Sequence, residues 1–222
     1  MSGVHAVSDP LPPVWMRMPQ APCDGPVRGE LLAFARDPAA PLTRAFCAAI
    51  ARFHCYAGTL TPPLDATRAE FHAALDYFLP GVLARFTLGE AGAGPVPGTD
   101  FDADEYVDLL ALLADHRADP GPETTWLARS IALCCMGEQH LWEDMGLADR
   151  EALSMLIAGG FPSLAAKNTN DMRWKKFFYK QLCEREGLNL CRAPVCTECS
   201  DYAQCFGPET PGSEGWRRRA HS

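Results

Sequence analysis

Cys191, Cys196, Cys199 and Cys205 stand in the spacing C-x4-C-x2-C-x5-C, four thiols within fifteen residues. Thiolates are soft donors, and a dense set of them selects iron–sulfur clusters, zinc or copper(I) over hard cations. The first three cysteines also follow the C-x4-C-x2-C spacing of one type of ferredoxin. Structural zinc sites more often pair two short knuckles across a longer spacer. Here only Cys196 and Cys199 form a knuckle, and Cys191 and Cys205 flank it closely, so one compact loop wraps one centre. A polynuclear cluster suits ligands that converge from one loop, which favours an iron–sulfur-type centre, with zinc as the alternative.

The remaining thiols and imidazoles carry weaker signals. Cys183 sits on a helix pattern beside Arg173, Lys175, Lys176, Tyr179 and Lys180, and is the best candidate for a fifth ligand or a transfer thiol. On an ideal wheel, Trp174, Phe177, Phe178, Gln181 and Leu182 take the opposite side. One face is expected to pack while the other presents cations next to a thiol; the plainer reading is a solvated basic face with a stray cysteine. Cys47, Cys55, Cys134 and Cys135 lie in apolar helical stripes and read as small buried side chains. Cys23 gives no signal. His54 and His72 read as packing or surface residues, and His116 ends a helix, where a cation suits the dipole. His140 falls at a turn in Gly137-Glu-Gln-His140-Leu-Trp142, where a metal role is the minority reading. No G-x-S-x-G, H-E-x-x-H or Walker A pattern occurs.

The elements that must position these residues are helical. Leu42, Phe46, Ala49, Ile50 and Phe53 recur at three- and four-residue steps. Thr67 and Glu70 have capping-box spacing before Phe71, Leu75 and Phe78, and Pro80 ends that helix. Gly89 to Asp100 reads as a loop; Asp102, Asp104 and Glu105 then crowd a helix start with Tyr106, Leu109, Leu110 and Leu113 as its apolar face. Further helices are expected from about Thr125 to Met136, from near Asp149, and from Asp171 to Glu186 with Gly187 after the end. No alternating strand pattern and no internal repeat is visible. The expected fold class is all-α, an irregular helical bundle with a C-terminal Cys-rich metal-binding loop. Residues 1–40 read as a loosely ordered arm, 41–206 as the helical domain with its cysteine loop at 191–205, and 207–222 as a disordered tail.

Composition narrows the function classes. The 222 residues are 47% hydrophobic and 22% charged, as in ordinary globular chains. The formal net charge of −8 argues against a broad nucleic-acid surface. It is uneven: residues 160–222 hold ten Lys or Arg and seven Asp or Glu, a net of +3 that leaves −11 on the first 159. The thiol-rich end is therefore the basic end, which suits anionic ligands. No secretory leader or membrane span is expected, and ten cysteines in such a chain point to a cytoplasmic, reducing setting in which disulfides are disfavoured.

Phe161-Pro162, the run Lys167-Asn168-Thr169-Asn170-Asp171-Met172-Arg173-Trp174-Lys175-Lys176-Phe177-Phe178-Tyr179, then Gln181-Leu182-Cys183-Glu184 and the four-cysteine motif together resemble the NifQ family. The likeness is dense from about Phe161 to Gly207 and looser back to about residue 40, where it includes His140-Leu141-Trp142-Glu143-Asp144. The resemblance implies a nitrogen-fixation protein that carries a molybdenum–iron–sulfur cluster and donates molybdenum for the nitrogenase iron–molybdenum cofactor. It implies a metal carrier rather than an enzyme, with the NifEN scaffold and the nitrogenase iron protein as recipients; charge and the lack of a long apolar run speak against nucleic acid and membrane as partners. The family's cluster-ligand motif falls on Cys191, Cys196, Cys199 and Cys205, with Cys183, Arg173, Lys176 and Lys180 as auxiliary candidates and molybdate as the molybdenum source. Two rivals come from other classes. A helical DNA glycosylase with a four-cysteine loop lacks support, because its helix-hairpin-helix glycine motif is missing and the charge is wrong. A zinc-stabilised helical interaction module remains the alternative.

Overall fold

Leu31, Phe46, Phe71, Phe78 and Trp126 meet in one apolar cluster, while Tyr106, Leu109, Leu113, Ile131, Ile157, Phe161 and Phe178 belong to a larger one. The computed structural model that shows this describes residues 24–90, 103–188, 196–199 and 202–212. Among these residues the protein is all-α. Its helices are α1 (Asp24–Leu32), α2 (Pro41–Ala57), α3 (Arg68–Phe78), α4 (Ala103–Ala114), α5 (Pro122–Cys135), α6 (Leu141–Asp144), α7 (Arg150–Gly160), α8 (Pro162–Ala165), α9 (Trp174–Arg185) and α10 (Tyr202–Phe206). Extended pairing among the described residues is one isolated parallel bridge between Leu60 and Leu88.

Helix α2 links the two clusters. It contributes Phe46, Cys47 and Ile50 to the smaller and Ala45 and Ala49 to the larger, three- and four-residue spacings that set two apolar stripes on one helix. In the smaller cluster Phe46 stacks on Phe78 with centroids 4.6 Å apart and meets Trp126 edge-on at 5.5 Å. Helix α5 carries the densest burial, with every residue from Trp126 to Cys135 inside.

The end signals operate as their chemistry dictates. Thr67 caps α3 by accepting from Glu70 N at 3.2 Å, while the Glu70 carboxylate accepts from Thr67 N at 2.8 Å. Thr67→Ala is expected to lower stability by about 1 kcal/mol, read as an earlier urea midpoint with an unchanged slope. Asp149 caps α7 in the same way, accepting from Ala152 N at 2.8 Å. Gly187, at φ 68°, supplies the left-handed turn after α9.

Three expectations shift. Helix α5 begins at Pro122, three residues before Thr125, because proline at the first turn needs no intrahelical partner. Helix α9 begins at Trp174 rather than Asp171: Asp171 takes φ 53°, and the Asn168 side chain bonds both Met172 N and Met172 O, which locks a turn where a helix was expected. The segment expected as a loose arm, 1–40, contains α1, whose Leu31 is fully buried against the smaller cluster; residues 1–23 lie outside the described residues.

Candidate metal centre

Helix α9 is the platform. Trp174, Phe177, Phe178 and Gln181 are buried as expected, and the three aromatics pack on one another with centroids 5.7 to 6.0 Å apart. Tyr179 donates its hydroxyl to the Glu105 carboxylate, which joins α9 to α4.

The cationic face is only partly as expected. Lys175 is not on the surface: it is 5% exposed, and its ammonium donates to Gly137 O at 2.7 Å and to Asp144 Oδ2 at 2.5 Å. The ideal wheel misplaces it because a buried carboxylate draws the stem inward. Asp144 takes a second cation, Arg52, at 2.5 Å on its other oxygen. This cluster of one buried carboxylate and two cations lies under the start of α9 and carries a net charge of +1. Gly137 belongs to it: a Cβ there would stand 2.3 Å from the Asp144 carboxyl atoms, so the close approach requires glycine. Cys134, in the same region, donates its thiol to Asp144 O at 3.4 Å.

Arg173, expected to face incoming anions, holds the chain's last described segment instead. Its backbone N–H donates to Cys205 O at 2.8 Å, and its guanidinium donates to Gly207 O at 3.1 Å and Pro208 O at 2.9 Å. Lys176 lines a small groove with Gln139, His140, Leu141, Arg173, Lys175 and Glu209. Lys180, one turn on, pairs with Glu184 at 3.1 Å and keeps 40% of its side chain exposed. Cys183 is half-buried on the same helix.

The segment expected as a disordered tail therefore starts as a strap. Residues 207–212 are described, and the Glu209 side chain is 5% exposed. Its carboxylate accepts from Arg150 Nη1 at 2.8 Å and lies 3.9 Å from His140 Nδ1. Gly212 N donates to Glu143 Oε1 at 2.8 Å. Burial holds His140 below the ordinary imidazole range, and Glu209 pulls in the opposite direction. His140 thus faces Glu209, and it belongs to no group of three metal-type side chains among the described residues.

Three of the four motif cysteines are described. Cys196 opens a 3₁₀ turn, Cys196–Glu198, and Cys199 N donates back to Cys196 O at 3.1 Å. Cys205 lies on α10, where Cys205 and Phe206 pack against the larger core cluster. Cys191 falls outside the described residues, and among those described no three His, Cys, Asp or Glu side chains gather as a metal-like group.

The fit of these donors to a thiolate-held metal group can be judged by burial. Cys47, Cys134 and Cys135 are buried, and burial pushes each thiol up to about 12. Such thiols stay protonated at neutral pH and make poor ligands. Cys55, also expected to be a small buried thiol, is half-buried and disulfide-bonded, which corrects the expectation that the chain forms no disulfides. Cys196, Cys199 and Cys205 are half-buried, open enough to be reached from solvent. The donor chemistry of the C-terminal segment fits; that of the core thiols does not.

Sequence reasoning missed Asp144, Arg52, Gly137, Arg150 and Glu209. The ion pairs join residues 31 to 92 positions apart in the chain, and single-sequence periodicity carries no signal for such pairs.

Fold and site together define a class: a helical protein whose half-exposed cysteines ride on a short C-terminal segment strapped beside a basic helix. The chain belongs to the NifQ family, whose model matches residues 45–207. It is 49% identical to "Protein NifQ" of Azotobacter vinelandii over 106 residues, 48% of this chain and 54% of that protein. It is 40% identical to "Protein NifQ" of Rhodobacter capsulatus over 153 residues, 68% of this chain and 80% of that one. A "Protein NifQ homolog" of Sinorhizobium fredii is 46% identical over 99 residues, 45% of this chain and 43% of that protein. The chain thus spans about half the length of the Azotobacter relative. No solved structure matches. No helix among the described residues is long and apolar enough to cross a membrane.

Proposed function

We propose that this protein is a cytoplasmic carrier in nitrogen fixation that holds molybdenum on an iron–sulfur cluster and donates it for assembly of the nitrogenase iron–molybdenum cofactor. It acts as an assembly factor rather than an enzyme, and its recipients are the NifEN scaffold and the nitrogenase iron protein. The observation that carries the reading is the sorting of thiols. The cysteines of the C-x4-C-x2-C-x5-C motif that are described lie half-exposed on a surface segment, while Cys47, Cys134 and Cys135 are sealed in the core. Family membership points to the same motif.

In this reading Cys191, Cys196, Cys199 and Cys205 supply the thiolates, and Cys183 is placed on α9 as an additional sulfur donor. A cluster held by several thiolates carries net negative charge, and second-shell cations stabilise it. Arg173 contributes by tethering Cys205 through its backbone, and its guanidinium is engaged by carbonyls. Lys176 and Lys180 lie one turn apart on α9, Lys180 with 40% of its side chain exposed beside Glu184, and in this reading they attract molybdate. Changing both to Ala is expected to lower molybdenum loading about fivefold, the effect of roughly 1 kcal/mol from two partly screened charges, with iron loading held within twofold. Equal losses of iron and molybdenum in that double variant would remove the oxyanion-entry role.

The whole reading is tested by growing the protein in molybdate-fed cells, purifying it without oxygen and measuring iron, sulfide, molybdenum and zinc. The zinc-stabilised interaction module is the competing outcome, and the tight Cys196–Cys199 turn is the feature that favours it.

A further inference from the structure

We propose that Arg150 and Glu209 are positioning residues for the cysteine segment: their buried ion pair holds the strap closed and thereby fixes Cys205 against α9 before any metal is bound. This rests on the functional reading above and goes beyond it, because it assigns a role to two residues outside the cysteine motif.

The argument starts from the cost of the arrangement. Glu209 lies four residues beyond the last cysteine, in the run Gly207-Pro-Glu-Thr-Pro, which has no helical or strand pattern. A Gly/Pro-rich segment of this kind is held only where something ties it down. Yet its carboxylate is 5% exposed, and a charge so far from water is costly unless it is paired and bonded. Arg150 supplies that partner at 2.8 Å and is itself 21% exposed.

Arg150 does more than neutralise Glu209. Its other terminal nitrogen donates to Asp171 O at 2.9 Å, Asp171 Oδ1 at 2.8 Å and Met172 O at 2.9 Å. One guanidinium on α7 therefore grips both the turn that starts α9 and the strap that follows Cys205. Between those two grips stands Arg173, whose backbone N–H bonds Cys205 O and whose side chain bonds the carbonyls of Gly207 and Pro208. The strap is closed further along by Gly212 N on Glu143. Gly207 is needed for the turn from α10 into the strap, because a Cβ there would meet Ala203 O at 2.4 Å.

The consequence is a cysteine segment whose C-terminal end is held in advance. Its far end, Cys205, is pinned to the body through the strap and by packing on the larger core cluster. Its Cys196–Cys199 turn is joined to α10 by the bond from Tyr202 N to Cys199 O at 3.1 Å. A ligand fixed in advance reduces the ordering cost of binding, which raises affinity without adding a donor. Opening the strap would loosen Cys205 and lower that affinity, a property suited to a protein that must give its metal away.

The test uses the full chain with Glu209→Gln, which removes the charge and keeps the shape, and Glu209→Ala as the stronger variant. The first readout needs no metal: timed alkylation of the reduced metal-free protein, with Cys205 and the core thiol Cys134 followed by peptide mass. The second is titration with cobalt(II) alone, followed by its thiolate charge-transfer absorption. The expected result is about tenfold faster labelling of Cys205, unchanged labelling of Cys134, and about tenfold weaker cobalt(II) binding, the scale of one lost charged hydrogen bond. Unchanged Cys205 labelling in a folded variant overturns the clamp. Faster labelling with unchanged cobalt(II) affinity overturns the positioning role. Faster labelling of Cys134 as well as Cys205 shows general unfolding, and contradicts the claim that the pair acts locally. The labelling arm reads the clamp whichever metal the protein carries, so it can succeed even if the molybdenum reading fails.

Discussion

Asp144→Ala should cost this protein about 3–5 kcal/mol, most of a small domain's margin, because it strips the counter-charge from a buried lysine. Lys175 is 5% exposed and has Asp144 and Gly137 O as its bonded partners, so loss of the carboxylate leaves an ammonium in the core with one carbonyl. Arg52 loses the same partner, and although its side chain is 21% exposed its Nε is already buried without a hydrogen-bond partner, which adds to the cost. The measurement is urea unfolding followed by circular dichroism. A double variant, Asp144→Ala with Lys175→Met, is expected to recover part of the loss, since an apolar side chain of similar length needs no counter-charge. A cost below about 1 kcal/mol for Asp144→Ala would show that Lys175 reaches solvent, and that the start of α9 is not built on this pair.

The second large effect concerns the cysteines. Cys199→Ala is expected to remove most of the bound iron, sulfide and molybdenum together, at least tenfold, because loss of one thiolate opens the cluster to hydrolysis and release. Cys196→Ala should behave alike. Cys134→Ala is the contrasting variant: its thiol, pushed up to about 12 by burial, is a packing group, so metal content should stay within error of the parent. The readout is metal and acid-labile sulfide per chain in oxygen-free preparations. Retention of all three by Cys199→Ala would show that the ligands are elsewhere, and loss on Cys134→Ala would show that a core thiol takes part.

The helical frame was legible because its signals are local. Thr67 and Glu70 are three apart and cap α3; Asp149 caps α7; Gly187 closes α9; and the stripe from Trp174 to Gln181 is buried. Each is decided within one or two turns, where side-chain spacing and backbone chemistry act together. The motif cysteines stood out because four soft donors in one loop have few other uses. What escaped were the groups whose meaning depends on a distant partner. Lys175 has the same local spacing as Lys176, and only Asp144, on α6, distinguishes the two. Glu209 sits between prolines in a stretch with no helical or strand pattern, and the distant Arg150 and His140 make it a buried anchor. Helix α1 escaped for a related reason: its run Asp-Gly-Pro-Val-Arg-Gly-Glu-Leu-Leu is poor helix-forming sequence, held by packing of Leu31 rather than by propensity.

The most direct measurement is elemental and spectroscopic analysis of the protein purified under argon from molybdate-supplied cells. A brown protein with several irons, a matching amount of acid-labile sulfide and bound molybdenum is the predicted result. A colourless protein with one zinc per chain and no sulfide would contradict the account.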